Sequence, residues 1–346
     1  MKASRLFLLI LLLPLIAFWG CEGDQGPAGP AGADGADGTD GTDGVDGNVT
    51  CLDCHSTANM VAISYQFDRS QHNAGTIAVD YAGGRASCAK CHSGNGYVEW
   101  AETGTVDGDL TTPEPWECGT CHAVHESFEV ADFALRKADP VEWIYDDGAT
   151  PFDFGDNSNV CAWCHQSRRA EPNVAAPGAT FDITSTHYGP HHGAMANVVA
   201  GLGFAEIPGD VAYPTGPFGH FAAGINCVDC HMGEYADGEG GHTWLPALAT
   251  CQTTGCHSSA TDFDIGSTQS DTQVQLDTLR DLLLDQGVIE WVVEDEAYEP
   301  VVGTYSMEQA QAFFNWIGIS EDRSLGVHNP PYVNALLENS IQAITP

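Results

Sequence analysis

Cys51-Leu52-Asp53-Cys54-His55 opens a stretch in which one short unit recurs six times, ending at His257. Four further copies have the same spacing, with two residues between the cysteines and a histidine directly after the second; they begin at Cys88, Cys118, Cys161 and Cys227. The last copy, from Cys251 through Cys256, has four residues between its cysteines. Because the unit dominates residues 51–260, its chemistry decides the fold of that region.

Cys-x-x-Cys-His is the attachment signal of c-type haem, in which the two thiols form thioethers to the porphyrin. The adjacent histidine then becomes the proximal ligand of the iron. The sequence therefore predicts six covalently bound haems c, each held by two cysteines and one histidine: Cys51, Cys54 and His55; Cys88, Cys91 and His92; Cys118, Cys121 and His122; Cys161, Cys164 and His165; Cys227, Cys230 and His231; Cys251, Cys256 and His257.

Disulfides and zinc ribbons also use paired cysteines. Neither requires a histidine after every pair. With 14 histidines among 346 residues, six such histidines by chance are rarer than about one in 10^8. This regularity favours haem, although the longer spacing of the copy at Cys251 leaves a lone disulfide as its alternative.

Eight histidines lie outside the six motifs, enough to give each iron a second axial imidazole with two to spare: His72, His125, His187, His191, His192, His220, His242 and His328. His125 follows His122 by three residues, and both cannot bind one iron from the same face. We therefore expect His125 to reach a neighbouring haem. Of the three candidates at His187, His191 and His192, we expect two to be ligands.

The chain is strongly acidic, with 48 Asp and Glu against 11 Lys and Arg and a formal net charge of −37. Such a charge argues against nucleic acid and anionic membrane as partners. Six haems would add about twelve propionates, more than the cations can pair with, so some must face water, accept backbone donors or share a cation such as Ca2+. Solubility is the simpler reason for the charge.

Residues 1–20 have a basic start and an apolar run, which predicts a signal peptide. Ala17-Phe18-Trp19-Gly20-Cys21 resembles a lipobox, so we expect lipidation of Cys21. Glu22 rather than Asp at the next position fits onward export to the outer membrane, and lipid would anchor the protein without spanning. We therefore expect an exported, surface-exposed outer membrane lipoprotein; ordinary cleavage that leaves a free thiol at Cys21 is the alternative.

Within residues 21–50, glycine occupies every third position from Gly23 to Gly47. This Gly-X-Y period is typical of a collagen triple helix, since only glycine fits at its axis. An ordered homotrimeric stalk and a flexible monomeric linker both remain open, because only Pro27 and Pro30 stiffen the repeat. Either would hold the haem region away from the membrane.

Helical patterns replace cysteine in residues 261–346. We predict a first helix capped by Ser270 or Asp271 with Leu276, Leu279 and Leu283 on one face. A second follows the capping box at Ser306, with Ala310, Phe313, Phe314 and Ile317 on its apolar face, and a third opens at Asn329-Pro330 with Val333, Leu336, Leu337 and Ile341. These helices would form a small cap packed on haem faces.

Several segments resemble the bacterial multihaem c-type cytochromes of extracellular electron transfer. They are the six motifs, residues 185–192, His220 ahead of the motif at Cys227, Gly240-Gly241-His242, and Gly326-Val327-His328-Asn329-Pro330. The resemblance covers about residues 51–346. It implies mostly irregular coil with short α-helices wrapped around a chain of stacked haems, little β structure, and a C-terminal helical segment in which His328 is a distal ligand.

This resemblance implies an electron carrier that relays electrons at the outer cell surface to extracellular acceptors or partner cytochromes. One alternative is a polymerising filament subunit, in which a histidine of one chain binds iron in the next. Another is a nitrite- or hydroxylamine-type oxidoreductase, which needs one open iron. The lysine variant Cys-x-x-Cys-Lys is absent from the sequence, and spare histidines outnumber irons, so a carrier is favoured over an enzyme.

Overall fold

The computed structural model describes residues 55–125, 134–173, 178–216, 219–233, 238–253 and 257–346. The predicted signal peptide, the lipidated Cys21 and the Gly-X-Y stalk lie outside the described residues. So do Cys51, Cys54 and Cys256 of the first and last haem motifs.

Short helices dominate the described chain. The α-helices are α1 Thr57–Asp68, α2 Gln71–Ala74, α3 Thr76–Ala78, α4 Ala86–His92, α5 Gly94–Thr103, α6 Cys118–Cys121, α7 Asn159–Ala162, α8 Met195–Ala200, α9 Gly219–Ala222, α10 Cys227–His231, α11 Leu248–Thr253, α12 Thr268–Asp285, α13 Met307–Asp322 and α14 Pro330–Ile344. A π-helical turn spans Val79–Gly83, and 3-10 turns span Ile144–Asp146, Asp156–Ser158, Gly241–Thr243 and Ile265–Ser267. Within the described ranges, no helix is both long and apolar enough to cross a membrane.

Strands are few, as the resemblance implies. They are β1 Thr180–Ile183, β2 Ile289–Val292, β3 Ala297–Pro300 and β4 Gly303–Ser306. β2 and β3 form an antiparallel hairpin, and β1 pairs antiparallel with β4 with Phe181 opposite Tyr305. The second pair joins the histidine-rich stretch that follows β1 to the helical C-terminal part of the chain.

The three predicted C-terminal helices are present as α12, α13 and α14. Ser306 caps α13 with the predicted box, since its hydroxyl accepts from the Gln309 amide while Gln309 Oε1 accepts from the Ser306 amide. The predicted N-cap of α12 is wrong. That helix starts earlier, and Asp264 Oδ1 accepts from the amides of Gln269 and Ser270 instead.

The largest apolar core lies among these three helices. It includes Leu276, Leu279 and Leu283 of α12, Phe313 and Phe314 of α13, and Leu336 and Leu337 of α14, together with Ile183, Val198, Phe204 and Ile207. The core therefore spans the predicted boundary between 51–260 and 261–346. A smaller core holds Trp143, Phe154 and Trp163 beside the fourth haem motif. The C-terminal helices thus pack against the segments that carry histidines.

We predict that Leu279→Ala lowers the free energy of unfolding by about 2–5 kcal/mol, because it empties a fully buried site in the core. Val274→Ala is the matched control on α12, since Val274 is 65% exposed, and should change stability by less than about 0.5 kcal/mol. Denaturant unfolding followed by circular dichroism measures both. Equal effects of the two variants would contradict the assigned core.

Candidate haem-binding sites

The haem motifs lie on short helical turns. α4 holds Cys88 to His92, α10 holds Cys227 to His231, and α6 runs from Cys118 to Cys121. Residues three apart on a helix lie on one face, so these turns direct both thiols of a Cys-x-x-Cys pair to the same side. That arrangement suits two thioether bonds to one porphyrin edge.

Of the described cysteines, eight form no disulfide: Cys88, Cys91, Cys118, Cys121, Cys161, Cys164, Cys227 and Cys230. Burial raises the pKa of Cys161 to about 12 and the pKa of Cys121 and of Cys230 to about 11.

Each motif histidine faces one histidine from outside the motifs. The ring centres are 6.0 Å apart for His55 and His125, 5.9 Å for His92 and His191, 6.5 Å for His122 and His242, 6.1 Å for His165 and His72, 6.2 Å for His231 and His328, and 6.1 Å for His257 and His220. In this order we name them haem sites 1 to 6, although they differ widely in the angle between the ring planes.

The spacing of these pairs fits a haem iron. An iron bonded to two opposed imidazoles at about 2 Å per bond holds the ring centres roughly 6.3 Å apart. The observed distances of 5.9–6.5 Å bracket that value in all six sites. The six histidine pairs therefore fit the spacing of the two axial imidazoles of a haem iron.

Burial keeps several of these rings in the neutral form that binds metal. It lowers the pKa of His165 to about 4, with His72 as a further cause, and lowers the pKa of His191 to about 4. Burial likewise lowers the pKa of His72 and of His242. These four rings are neutral at physiological pH without a metal.

Of the three candidates in residues 187–192, the structure brings His191 alone to a motif histidine. The ring of His192 lies 5.3 Å from that of His191, and its Nδ1 is 2.7 Å from Oε1 of Glu321. The His192 side chain is 82% exposed, and His187 is exposed as well. His187 and His192 are therefore the two histidines left outside the six pairs.

Trp244 connects three of the sites, a role that the sequence did not indicate. Its ring centre lies 4.6 Å from the ring centre of His72 in site 4 and 5.5 Å from that of His242 in site 3. Its carbonyl oxygen lies 2.7 Å from Nδ1 of His231 in site 5. One residue thus contacts an axial candidate of three sites at once.

The loop that carries Trp244 is held in place by α1. The backbone N–H of His242 donates to Oε1 of Gln66 at 2.9 Å. Gly241 has φ +54°, and a Cβ there would lie 2.3 Å from the same oxygen. A side chain at position 241 would therefore push the Gln66 amide away from this hydrogen bond. Trp244 itself has φ +53°, which turns the backbone so that ring and carbonyl reach different sites.

The remaining sites connect through the motifs themselves. Cys164 Sγ of site 4 lies 3.8 Å from the carbonyl oxygen of Lys90, within the motif of site 2. Ser158, beside the fourth motif, accepts from the amide of Val228 in the fifth at 3.3 Å. Site 1 takes His125 from the chain just after His122 of site 3. The short helices α10 and α11 pack together, which brings the motifs of sites 5 and 6 side by side.

The fold is similar to that of a solved protein described as Outer Cell Wall Cytochrome OcwA. The TM-score is 0.52 at 19% sequence identity, covering 81% of this chain and 50% of that one. This chain therefore spans about half the length of that cytochrome. No family model matches the sequence, and no curated protein matches it either. The likeness supports a cytochrome fold with helices and little strand.

We predict that His191→Ala opens haem site 2, because it removes the ring opposite His92. One iron should then give a high-spin signal in the electron paramagnetic resonance spectrum of the oxidised protein. His192→Ala is the matched control at the next residue and should leave all signals low-spin. A high-spin iron in the control, or none in His191→Ala, would contradict the pairing.

Trp244→Ala should change two low-spin signals, those of sites 3 and 4, because the ring no longer fixes the planes of His242 and His72. In site 5, His231 keeps its hydrogen-bond partner, since that partner is the backbone carbonyl of residue 244 and not the ring. Trp291→Ala, at a half-exposed tryptophan on β2, is the control and should change none. Paramagnetic resonance of the oxidised proteins makes the comparison, and an unchanged spectrum of Trp244→Ala would refute the connecting role.

Proposed function

We propose that this protein is an electron-transfer multihaem c-type cytochrome with six covalently bound haems, each iron lying between two imidazoles. The observation that carries the proposal is the one-to-one pairing of all six motif histidines with six histidines from outside the motifs. When bound, haem supplies one-electron redox chemistry. The residues of the chain hold the haems, orient their ligands and connect neighbouring sites.

The pairing supports a carrier over an oxidoreductase of the nitrite or hydroxylamine type. Such an enzyme needs one iron with a free coordination position for its substrate. In sites 1 to 6 a second imidazole faces each motif histidine at ligand distance. Both axial positions would therefore be taken by protein side chains.

The pairing also supports a carrier over a filament that borrows ligands between chains. Each pair is complete within one chain, so no iron requires a histidine from a neighbouring copy. His187 and His192 are exposed, but His192 is engaged by Glu321. Lateral association and trimerisation through residues 21–50 stay compatible with this proposal.

The contacts between sites support electron movement along the chain. Trp244 touches ligand candidates of sites 3, 4 and 5, and Lys90 meets Cys164 between sites 2 and 4. Site 1 joins the others through the motif of site 3, and site 6 joins them through the motif of site 5. Electrons entering at any one site would have a contiguous route to the others.

The place of action that we propose is the outer cell surface. The signal peptide, the lipobox at Cys21 and the Gly-X-Y stalk support an outer membrane lipoprotein held away from the membrane. The structural similarity to an outer cell wall cytochrome agrees with export. The net charge of −37 favours a partner cytochrome or acceptor with a cationic surface, and Ca2+ shared between propionates would balance part of the charge.

The test combines three measurements on the purified, haem-loaded protein. Intact mass should count six haems, and the oxidised protein should show low-spin iron alone in paramagnetic resonance. A protein film on an electrode should exchange electrons without substrate, and nitrite or hydroxylamine should add no catalytic current.

Two results would overturn this proposal. One stoichiometric high-spin iron together with a catalytic current would establish an enzyme. A mass that corresponds to fewer than six haems would contradict the number of haem sites. If only the motif at Cys251 lacks haem, the mass would correspond to five haems. The Cys251→Ala variant identifies that case, since its mass would then not change by a haem.

A further inference from the structure

A buried carboxylate contacts the distal histidine candidate of haem site 5. Asp322 ends α13, and its side chain is 0% exposed. Its Oδ1 lies 2.6 Å from Nδ1 of His328, and its Oδ2 accepts a hydrogen bond from the hydroxyl of Ser324. The amide of His328 donates to the same hydroxyl at 3.3 Å. The three residues form a closed hydrogen-bonded group around one imidazole.

The fold fixes this group from both sides. After Asp322 the chain turns sharply, with φ +59° at Arg323 and φ +88° at Gly326, and thereby returns His328 to the carboxylate. Asn329 then starts α14, and its side-chain amide donates to the carbonyl of Val198 at 3.1 Å. Two core helices therefore hold the turn, and the contact between carboxylate and imidazole does not depend on a mobile side chain.

The other ring of site 5 has a different partner. Nδ1 of His231 lies 2.7 Å from the carbonyl oxygen of Trp244, a neutral acceptor. In site 2, Nδ1 of His92 is buried and has no hydrogen-bond partner among the described residues. The acceptor at Nδ1 is thus a carboxylate for His328 and a carbonyl for His231, and among the described residues His92 has none.

An acceptor at the second ring nitrogen changes how strongly a histidine donates to a metal. A metal-bound imidazole gives its remaining N–H to an outer partner, and a carboxylate raises the basicity of the ligand most. Hydrogen bonding and charge around axial ligands are levers that set haem potential. A negative charge in a buried, poorly screened position also favours the more positive, oxidised iron.

We propose that Asp322 is a positioning residue that lowers the reduction potential of haem site 5 below that of haem site 2. This inference rests on the proposed function, because it requires haem iron between His231 and His328. One electron per haem is exchanged with a neighbouring haem, and the Nδ1 proton of His328 stays in its hydrogen bond. Site 5 adjoins Trp244, so a low potential there would make electrons leave it readily towards sites 3 and 4.

The variant that tests this inference is Asp322→Asn, which keeps the shape of the side chain and removes its charge. We expect the oxidation equilibrium of one haem to shift by at least tenfold towards the reduced form. For a one-electron couple, tenfold corresponds to about 59 mV. Potentiometric titration monitored by paramagnetic resonance measures the shift, and the same haem should change its low-spin signal.

Glu321→Gln is the matched control. It makes the same chemical change one residue earlier, at a carboxylate that contacts His192 rather than a paired histidine. This variant should leave the reduction potential of every haem unchanged. A shift in this control would contradict the exclusion of His192 from the axial ligands, and no shift in Asp322→Asn would overturn the role of Asp322.

A measurement on the unaltered protein keeps the test independent of how Asp322→Asn folds. His328→Ala identifies the signal of site 5 by turning it high-spin, and His191→Ala identifies that of site 2. In the unaltered protein, the first signal should titrate at a lower potential than the second. The reverse order would refute the inference.

These outcomes separate the two proposals. Six haems by mass and six low-spin irons support the proposed function, whatever the potentials are. If these hold and the potentials do not follow the prediction, the role of Asp322 alone fails. If His328→Ala leaves all irons low-spin, the ligand assignment of site 5 fails before Asp322 is tested.

Discussion

The structure depends on one repeated constraint, the separation of about 6 Å between two imidazole rings that face each other. Six such pairs occur, and each joins a histidine fixed beside two thiols to a histidine from elsewhere in the chain. An iron bound on both sides matches this separation. Because the partner histidines come from distant segments, an iron bound between the two rings of each pair would cross-link an otherwise irregular chain.

Cross-links of this kind would account for the division of the molecule into a motif region with small cores and a C-terminal part with the main core. Around the motifs, most helices are only a few residues long, with α1 and α5 as the longer exceptions, and the cores between them are small. The long helices α12, α13 and α14 form the main apolar core, and the turn between α13 and α14 presents His328 to site 5. The strand pair β1–β4 ties the stretch that contains His191 to the same helices. The C-terminal helices therefore position His191 and His328, the partners of two motif histidines, besides stabilising the fold.

Local rules predicted a good part of this arrangement. The motif spacing identified the six histidines that each face a second histidine, and capping and periodicity predicted α13 and α14. The start of α12 differs because Asp264, shortly before the helix, replaced the expected cap. The partner of each motif histidine could not be predicted, since pairing is a long-range property of the fold. Trp244 and Asp322 were missed for the same reason: an isolated tryptophan and an acidic residue in an acidic chain give no local signal. The short strands β1 and β4 were also missed, because pairing across more than a hundred residues leaves little trace in either segment.

The most direct test of this account is a crystal structure of the haem-loaded protein with anomalous data at the iron absorption edge. The account predicts six iron peaks, each between one motif histidine and the partner identified above, with His187 and His192 bound to none. An iron ligated by His192, an iron with a free axial position, or a histidine supplied by a neighbouring molecule would contradict it.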